Sequence, residues 1–429
     1  ANPPPCTPIS PVQPTYPNTM SRKLQFNLSS NSQISGSELL WSGQLLKRGH
    51  LVKSWKNRYC EIRGGLFLYW RNRVEGEMQP GNPRGIVSLT GVELWGDDGG
   101  LVFHTIWLEG KKLKFFIRCF SEGDREMCYN AAQTSADFAG GMFDGFEGGG
   151  RDTALGWMLA SSCLFDAALK SINVHRTNLT PRENSIIAAC LFSKWSENHC
   201  TDNQLLVNSL KHYEEVLGGT KQVNTKLIED TREKLETQQP GARTRSVSIT
   251  GDPGNDQMHL FNEACFNVAT IHYLLGKITP ARSEFEAILS FSKQDFDRAD
   301  LHVNLALCYM AEGDLENAMT NGMTALKLVP NHFQAVVTVG NLHKAKGKFD
   351  EAVDMYRRAL EVNPEDVLVK VRMAGALLAH GKPDAAIKEL KQACDIECDV
   401  HGMAFNSLIK AYQYLGKARE ISVLKLQQA

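Results

Sequence analysis

Phe333 to Pro364 reads FQAVVTVGNLHKAKGKFDEAVDMYRRALEVNP, and this stretch decides the fold of the C-terminal part of the chain. Val336, Val339, Gly340 and His343 recur at helical spacing, Gly347 ends that helix, and Ala352, Tyr356, Ala359 and Leu360 stripe a second one. The pattern returns on either side. Gly313, Gly347 and Gly381 stand 34 residues apart, Gly276 lies 37 before Gly313, and Gly416 lies 35 after Gly381. Ala281, Ala318, Ala352 and Ala386 each follow a glycine by five positions. A period of this length means one helix-turn-helix unit copied along the chain. Gly340, Ala306 and Ala374 let a paired helix approach closely, and Pro330 and Pro364 close their copies because proline cannot continue a helix.

From 258 to 429 these copies, about four and a half of them, resemble the tetratricopeptide repeat. The large aromatic that the family usually carries early in the first helix is replaced by Cys265, His302, Val336 and Lys370. The resemblance implies an all-α solenoid whose first helices line a concave groove for a partner protein. Asn267, Asn304, Asn341, Lys344, Arg372 and Asn406 are the candidate groove residues. Asparagine offers both a donor and an acceptor, so a ladder of them can bond a peptide backbone whatever its side chains. The Lys and Asn set with which some members clamp a C-terminal carboxylate is incomplete, so a chaperone tail is not the expected partner.

Between 39 and 140 the period changes to two. Short runs such as Leu66-Phe67-Leu68-Tyr69-Trp70 and Ile86-Val87-Ser88-Leu89 are punctuated by Gly64-Gly65, Pro80-Gly81 and Gly99-Gly100, which predicts six or seven strands in a small barrel or sandwich. A helix from Asp124 to about Ala136 follows. WSGQLLKRGHLVKSWKNRYCEIRGGLFLYW resembles the opening of a pleckstrin homology domain, with Cys128 standing where that family usually has a tryptophan in the closing helix. Lys56 and Arg58 alternate on one strand and share a face with Lys47 across the hairpin. His50 and Lys53 lie in the connecting loop, and Arg63, Arg71, Arg73 and Arg84 near the rim. Such cations suit phosphate oxygens. The resemblance implies a phosphoinositide or anion site at Lys47, Lys53, Lys56, Arg58, Tyr69 and Arg84.

The remaining segments are plainer. Residues 1–38 read as a Pro/Ser-rich tail, 141–152 as a Gly-rich linker, 153–239 as a helical extension of the solenoid with Thr180 capping a helix at Pro181, and 240–257 as a polar loop. In that loop Arg243 and Arg245 precede Ser248, which makes Ser246 and Ser248 candidate phosphorylation sites. The 429 residues carry a net charge of −1, which gives no global case for nucleic acid. Eleven cysteines without a CxxC pair suit a reducing compartment and no zinc site, and no apolar run reaches the ~20 residues of a membrane span. His272, His302 and His343 recur without a recurring acid, and Glu284, Glu316, Glu351 and Glu389 read as solvated positions or i to i+4 partners, so neither catalysis nor a cofactor is expected. The expected protein is a cytoplasmic adaptor, its barrel docking on phosphoinositide membrane or protein and its array on a partner protein. The alternative is a structural subunit of a cytoskeletal, ciliary or trafficking assembly that uses both modules for protein contacts alone.

Overall fold

The computed structural model describes residues 39–48, 54–78, 83–95, 100–106, 112–145, 150–162, 164–172, 178–197, 202–238, 257–292, 295–397 and 402–428. They form two compact units. One holds the described residues of 16–221 and 229–271, the other those of 222–228 and 272–429.

In the first unit β1 (Leu39–Arg48), β2 (Trp55–Arg63), β3 (Leu66–Trp70), β4 (Gly85–Trp95), β5 (Gly100–Ile106) and β6 (Lys112–Arg118) form a closed antiparallel barrel in sequence order. β1 pairs back onto β6, with Leu46 opposite Arg118 and Lys47 opposite Ile117. Alternation along each strand buries Leu45, Ile62, Phe67, Leu89, Phe103 and Phe115 completely. Phe67 meets Phe103 edge-on, with ring centroids 5.1 Å apart. A short helix, α1 (Arg73–Met78), follows β3, and α2 (Glu122–Gly145) enters the barrel core through Cys128, Ala131, Ala132 and Ala136. The Ser135 hydroxyl fastens α2 by donating to the Arg63 carbonyl at 2.8 Å.

β3 is apolar on both faces, as its unbroken run of large side chains requires. Its outer residues Leu66, Leu68 and Trp70 are covered by α3 (Gly150–Ser161), α4 (Phe165–Ile172) and α5 (Pro181–Glu197) in a second core that includes Trp157, Met158 and Ile187. These helices thus belong with the barrel, whereas the sequence reading assigned 153–239 to an extension of the solenoid. Covering a large apolar side chain such as Trp70 contributes about 2–3 kcal/mol, which gives the helices their reason to dock there. Within the stretch expected to be a Gly-rich linker, residues 141–145 and 150–152 are helical. α2 runs on to Gly145 and α3 starts at Gly150, because Phe138, Ala139 and Ala154 are held in the same core. That packing outweighs the cost of about 1 kcal/mol for each helical glycine.

α5 starts as expected, with a reciprocal cap. The Thr180 N–H donates to Glu183 at 2.7 Å, the Glu183 N–H donates back to Thr180 Oγ1 at 3.3 Å, and Thr153 donates to the buried Glu183 at 3.2 Å. α6 (Asn203–Val216) lies against α5, its Ser209 hydroxyl donating to the Ala188 carbonyl at 2.8 Å. α7 (Thr225–Gln238) and α8 (Gln257–Leu274) follow in the chain.

The second unit is a run of helix pairs: α9 (Ile278–Phe291), α10 (Asp295–Glu312), α11 (Leu315–Leu328), α12 (Phe333–Ala345), α13 (Phe349–Val362), α14 (Val367–Ala379), α15 (Pro383–Glu397), α16 (Met403–Tyr414) and α17 (Ala418–Gln428). The periodic glycines have one structural cause. Gly276, Gly313, Gly347, Gly381 and Gly416 all adopt positive φ, between 67° and 85°. At Gly347 the cap is closed by Gly347 N–H to Lys344 O at 3.1 Å and Lys348 N–H to His343 O at 2.9 Å, and the same pair of bonds recurs at the other four. Ala281, Ala318, Ala352 and Ala386 are fully buried. At Gly340 an added Cβ would lie 2.9 Å from the Tyr356 ring, which is the close approach expected there.

Candidate interaction sites

β1, β3 and β5 end, and β2, β4 and β6 begin, at one end of the barrel, as antiparallel strands in sequence order require. Pairing sets Lys47 opposite Lys56, Leu45 opposite Arg58, and Cys60 opposite Tyr69, so Lys47, Lys56, Arg58 and Tyr69 share the inward-facing parity at that end. Lys47 is only 8% exposed. Its Nζ lies 4.6 Å from the Tyr69 ring centroid and 4.2 Å from that of Phe115. Burial is the main cause that brings its pKa down to about 8, with Arg58 pushing the same way and Cys60 opposing. Burial also raises the Tyr69 hydroxyl, against a smaller lowering by Arg58.

The rest of the expected cation set divides. Lys56 is exposed, and Arg58 is half-buried with its guanidinium donating to the Asn57 carbonyl at 2.8 Å. Arg84 is not part of the cluster's free charge, because it pairs with Glu75 at 2.9 Å. The Arg71 N–H reaches the same Glu75 carboxylate at 2.6 Å and is the first cause that holds it below the usual carboxylate range. Arg63 likewise pairs with Glu61 at 2.9 Å. His50, Lys53, Ser246 and Ser248 lie outside the described residues.

In the repeats, the structure brings some of the groove residues together and separates others. Asn341 and Lys344 stand three apart on α12 and so share a face. The buried Tyr356 of α13 donates its hydroxyl to Asn341 Oδ1 at 2.7 Å. An added Cβ on Gly375 of α14 would lie 3.0 Å from Lys344 Nζ, so the ammonium rests against the α14 backbone one turn from Arg372. Lys344 and Arg372 are both half-buried, and among the described residues neither has a hydrogen bond or an ion pair. Both pKa values are lowered, first by burial, and Lys344 is lowered further by the charge of Arg372. Two cations thus converge, with Asp366 near enough to act on Arg372 electrostatically but no acid bonded to either among the described residues.

Asn267, expected on an open face, is 6% exposed and lies beside the Tyr213 hydroxyl. The buried Tyr213 hydroxyl nonetheless makes no hydrogen bond among the described residues. Asn304 is half-buried, and Asn406 is exposed on α16. Glu284 was expected to be solvated, yet it is fully buried. Its carboxylate meets His272 Nδ1 at 2.9 Å and accepts the Val223 N–H at 3.2 Å. His302 meets Asn321 at 2.9 Å. His332, unremarked in the sequence, meets Asp300 at 3.1 Å through Nε2 while Nδ1 accepts the Ala335 N–H at 3.2 Å. The imidazoles of this unit therefore differ in their partners from copy to copy. Nothing in the spacing signalled the Lys344–Arg372 convergence, because their 28-residue separation falls short of the repeat and only the stacking of α14 on α12 and α13 closes it.

Tetratricopeptide repeat family models match residues 299–332 and 344–394, the second span containing both Lys344 and Arg372. The C-terminal region carries tetratricopeptide repeats. Over 86 residues the chain is 34% identical to the TPR repeat-containing thioredoxin TTL4 of Arabidopsis thaliana, covering 20% of this chain and 12% of that protein. It is 31% identical over 74 residues to Hsc70-interacting protein 1 of Drosophila melanogaster, with 17% and 18% covered, and 27% identical over 99 residues to the BBSome complex member BBS4 of Mus musculus, with 23% and 18% covered. The chain spans less than a fifth of the length of each of these relatives. A thermophilic TPR protein of Thermus thermophilus, solved as a crystal structure, aligns with 55% of this chain and 99% of its own at 13% identity and a TM-score of 0.36. No pleckstrin homology model matches the barrel. Among the described residues no helix is long and apolar enough to cross a membrane.

Proposed function

We propose that the chain is a two-site adaptor whose repeat groove holds an acidic segment of a partner protein against Lys344 and Arg372. The observation that carries this reading is the pair of half-buried cations that make no hydrogen bond or ion pair among the described residues. Leaving such charges unpaired is costly, and an incoming carboxylate or phosphate removes both the mutual repulsion and the unmet hydrogen bonding. Asn341 keeps its amide N–H groups for the partner while Tyr356 occupies its oxygen. Affinity purification on wild type and on Lys344→Met/Arg372→Met, with identification of co-eluting proteins at two salt concentrations, tests it. A partner retained by wild type, lost by the variant and weakened by salt is expected. An identical partner set for both proteins rejects the groove site.

The barrel's open end is the second docking site of this proposal, for a phosphoinositide headgroup. The shared parity of Lys47, Lys56 and Arg58 supports it. Each cation near a membrane surface contributes about 1 kcal/mol, so the barrel gives reversible recruitment and the tether to the array makes the second contact effectively intramolecular. Lys56→Ala/Arg58→Ala is expected to abolish sedimentation with phosphoinositide-containing liposomes. If wild type ignores those liposomes, the second reading holds, a subunit of a larger assembly that uses both modules for protein contacts. That reading is favoured by the occupation of Lys47 on two rings and of Arg84 on Glu75.

A further inference from the structure

The start of α9 carries an exposed hydroxyl at the edge of a charged network. Gly276 takes a φ of +76°, α9 opens at Ile278, and Thr279 stands exposed in its first turn, where among the described residues no side chain caps the helix. Thr279 Oγ1 donates to Glu312 Oε1, at the end of α10, at 3.4 Å. Arg282, three residues on and so on the same face of α9, donates its Nε–H to the same Glu312 oxygen at 3.2 Å and its Nη1–H to Glu286 at 3.0 Å. The Tyr309 hydroxyl of α10 donates to Glu286 at 3.2 Å, and the Arg282 guanidinium lies 5.3 Å from the centre of the Tyr309 ring. One arginine thus holds a carboxylate on each helix and joins α9 to α10, and the threonine shares one of its acceptors. The sequence at that hydroxyl is Thr279-Pro280-Ala281-Arg282. A proline directly after the hydroxyl and a basic residue three on are the flanks that proline-directed protein kinases select. Helix ends fray first and Pro280 brings no N–H to this one, so the segment opens more easily than a helix interior.

We propose that Thr279 is a phosphorylation site whose phosphate takes Arg282 from Glu312 and unties the end of α10 from α9. The Thr279 oxygen attacks the γ-phosphorus of ATP, the bond from that phosphorus to the oxygen it shares with the β-phosphate breaks, ADP leaves, and the hydroxyl proton passes to the kinase's carboxylate base. The hydroxyl ceases to be a donor, and about 1.5 to 2 negative charges stand where it met Glu312. Two anions so placed repel. Arg282 then chooses between carboxylates and a phosphate three positions away, and the phosphate wins because it carries more charge and offers three acceptor oxygens. Glu312 is left without Thr279 and without Arg282, so the last turn of α10 loses this tie to α9.

Incubating the whole chain with ATP and a cyclin-dependent protein kinase, a known substrate of that kinase being phosphorylated in the same tube, tests the site by residue-resolved mass spectrometry. A gain of about 80 Da on Thr279 is expected. Hydrogen exchange then tests the rewiring. In the phosphorylated chain the amides of 305–312 are expected to exchange about two- to fivefold faster than in the unmodified one, the loss that one exposed ion pair implies. Thr279→Ala is expected to show no difference in those amides between treated and untreated samples, which separates Thr279 from any other site the kinase modifies. Three results overturn the proposal: Thr279 unmodified while the known substrate is phosphorylated, phosphate on the neighbouring Ser283 in its place, or a chain phosphorylated at Thr279 whose α10 amides exchange as before.

Discussion

At the scale of the residue, the chain places charge where folding disfavours it. Lys344 rests against the Gly375 backbone beside Arg372, and neither cation is bonded to an acid among the described residues. Lys344→Met keeps the aliphatic stem and removes the repulsion. It is expected to raise stability by about 0.5–1 kcal/mol in denaturant titration while weakening partner binding about tenfold or more, a trade of stability against function. A variant that lost stability would show that the ammonium has a stabilising contact. Lys47 makes a second prediction, with two signs. Its folded pKa of about 8 lies below its ordinary 10.5. Between those values the unfolded chain holds a proton that the folded one sheds, so this side chain's contribution to stability rises with pH across that window. Anion binding at the barrel mouth runs the other way and falls as pH rises through about 8. Lys47→Met is expected to flatten both profiles, measured by denaturant titration and by liposome sedimentation.

At the scale of the element, the repeat depends on how each first helix ends. Gly347 sits at φ +73°, with open space where a Cβ would be. Gly347→Ala therefore meets no clash, only a strained backbone, and is expected to cost about 1–2 kcal/mol by thermal unfolding. Gly340→Ala differs in kind, because its new methyl meets the Tyr356 ring at 2.9 Å. The five-fold recurrence of one cap explains why the period was so legible. Each glycine has a local conformational reason that packing elsewhere does not alter. The Gly-rich stretch around Gly140 and Gly145 was misread for the converse reason. Glycine is permissive in a loop and in a helix alike, and the anchoring of Phe138 in the core decided between them.

At the scale of the molecule, the barrel and α3–α5 share a core, whereas the repeats have their own. Leu68→Ala is expected to cost about 2–5 kcal/mol and to raise amide hydrogen exchange in both the barrel and residues 153–190, leaving 299–394 near wild-type protection. Exchange changes confined to the barrel would show that the two layers open separately. The barrel's cation parity was readable from Lys56 and Arg58 two apart on a strand, since strand alternation is local. The engagement of Arg84 by Glu75 was not, because it depends on α1 folding back towards the start of β4.

By itself the sequence determined the helix pairs, their glycine caps, the buried alanines and the inward face of the strands, because each follows from a short-range rule of backbone conformation or side-chain period. Tertiary structure alone decided which helices cover β3, that Asn267 and Glu284 are buried, and that Lys344 meets Arg372. Those meetings depend on how separate elements stack, and stacking is set by the summed burial of many side chains, a quantity that no local spacing carries.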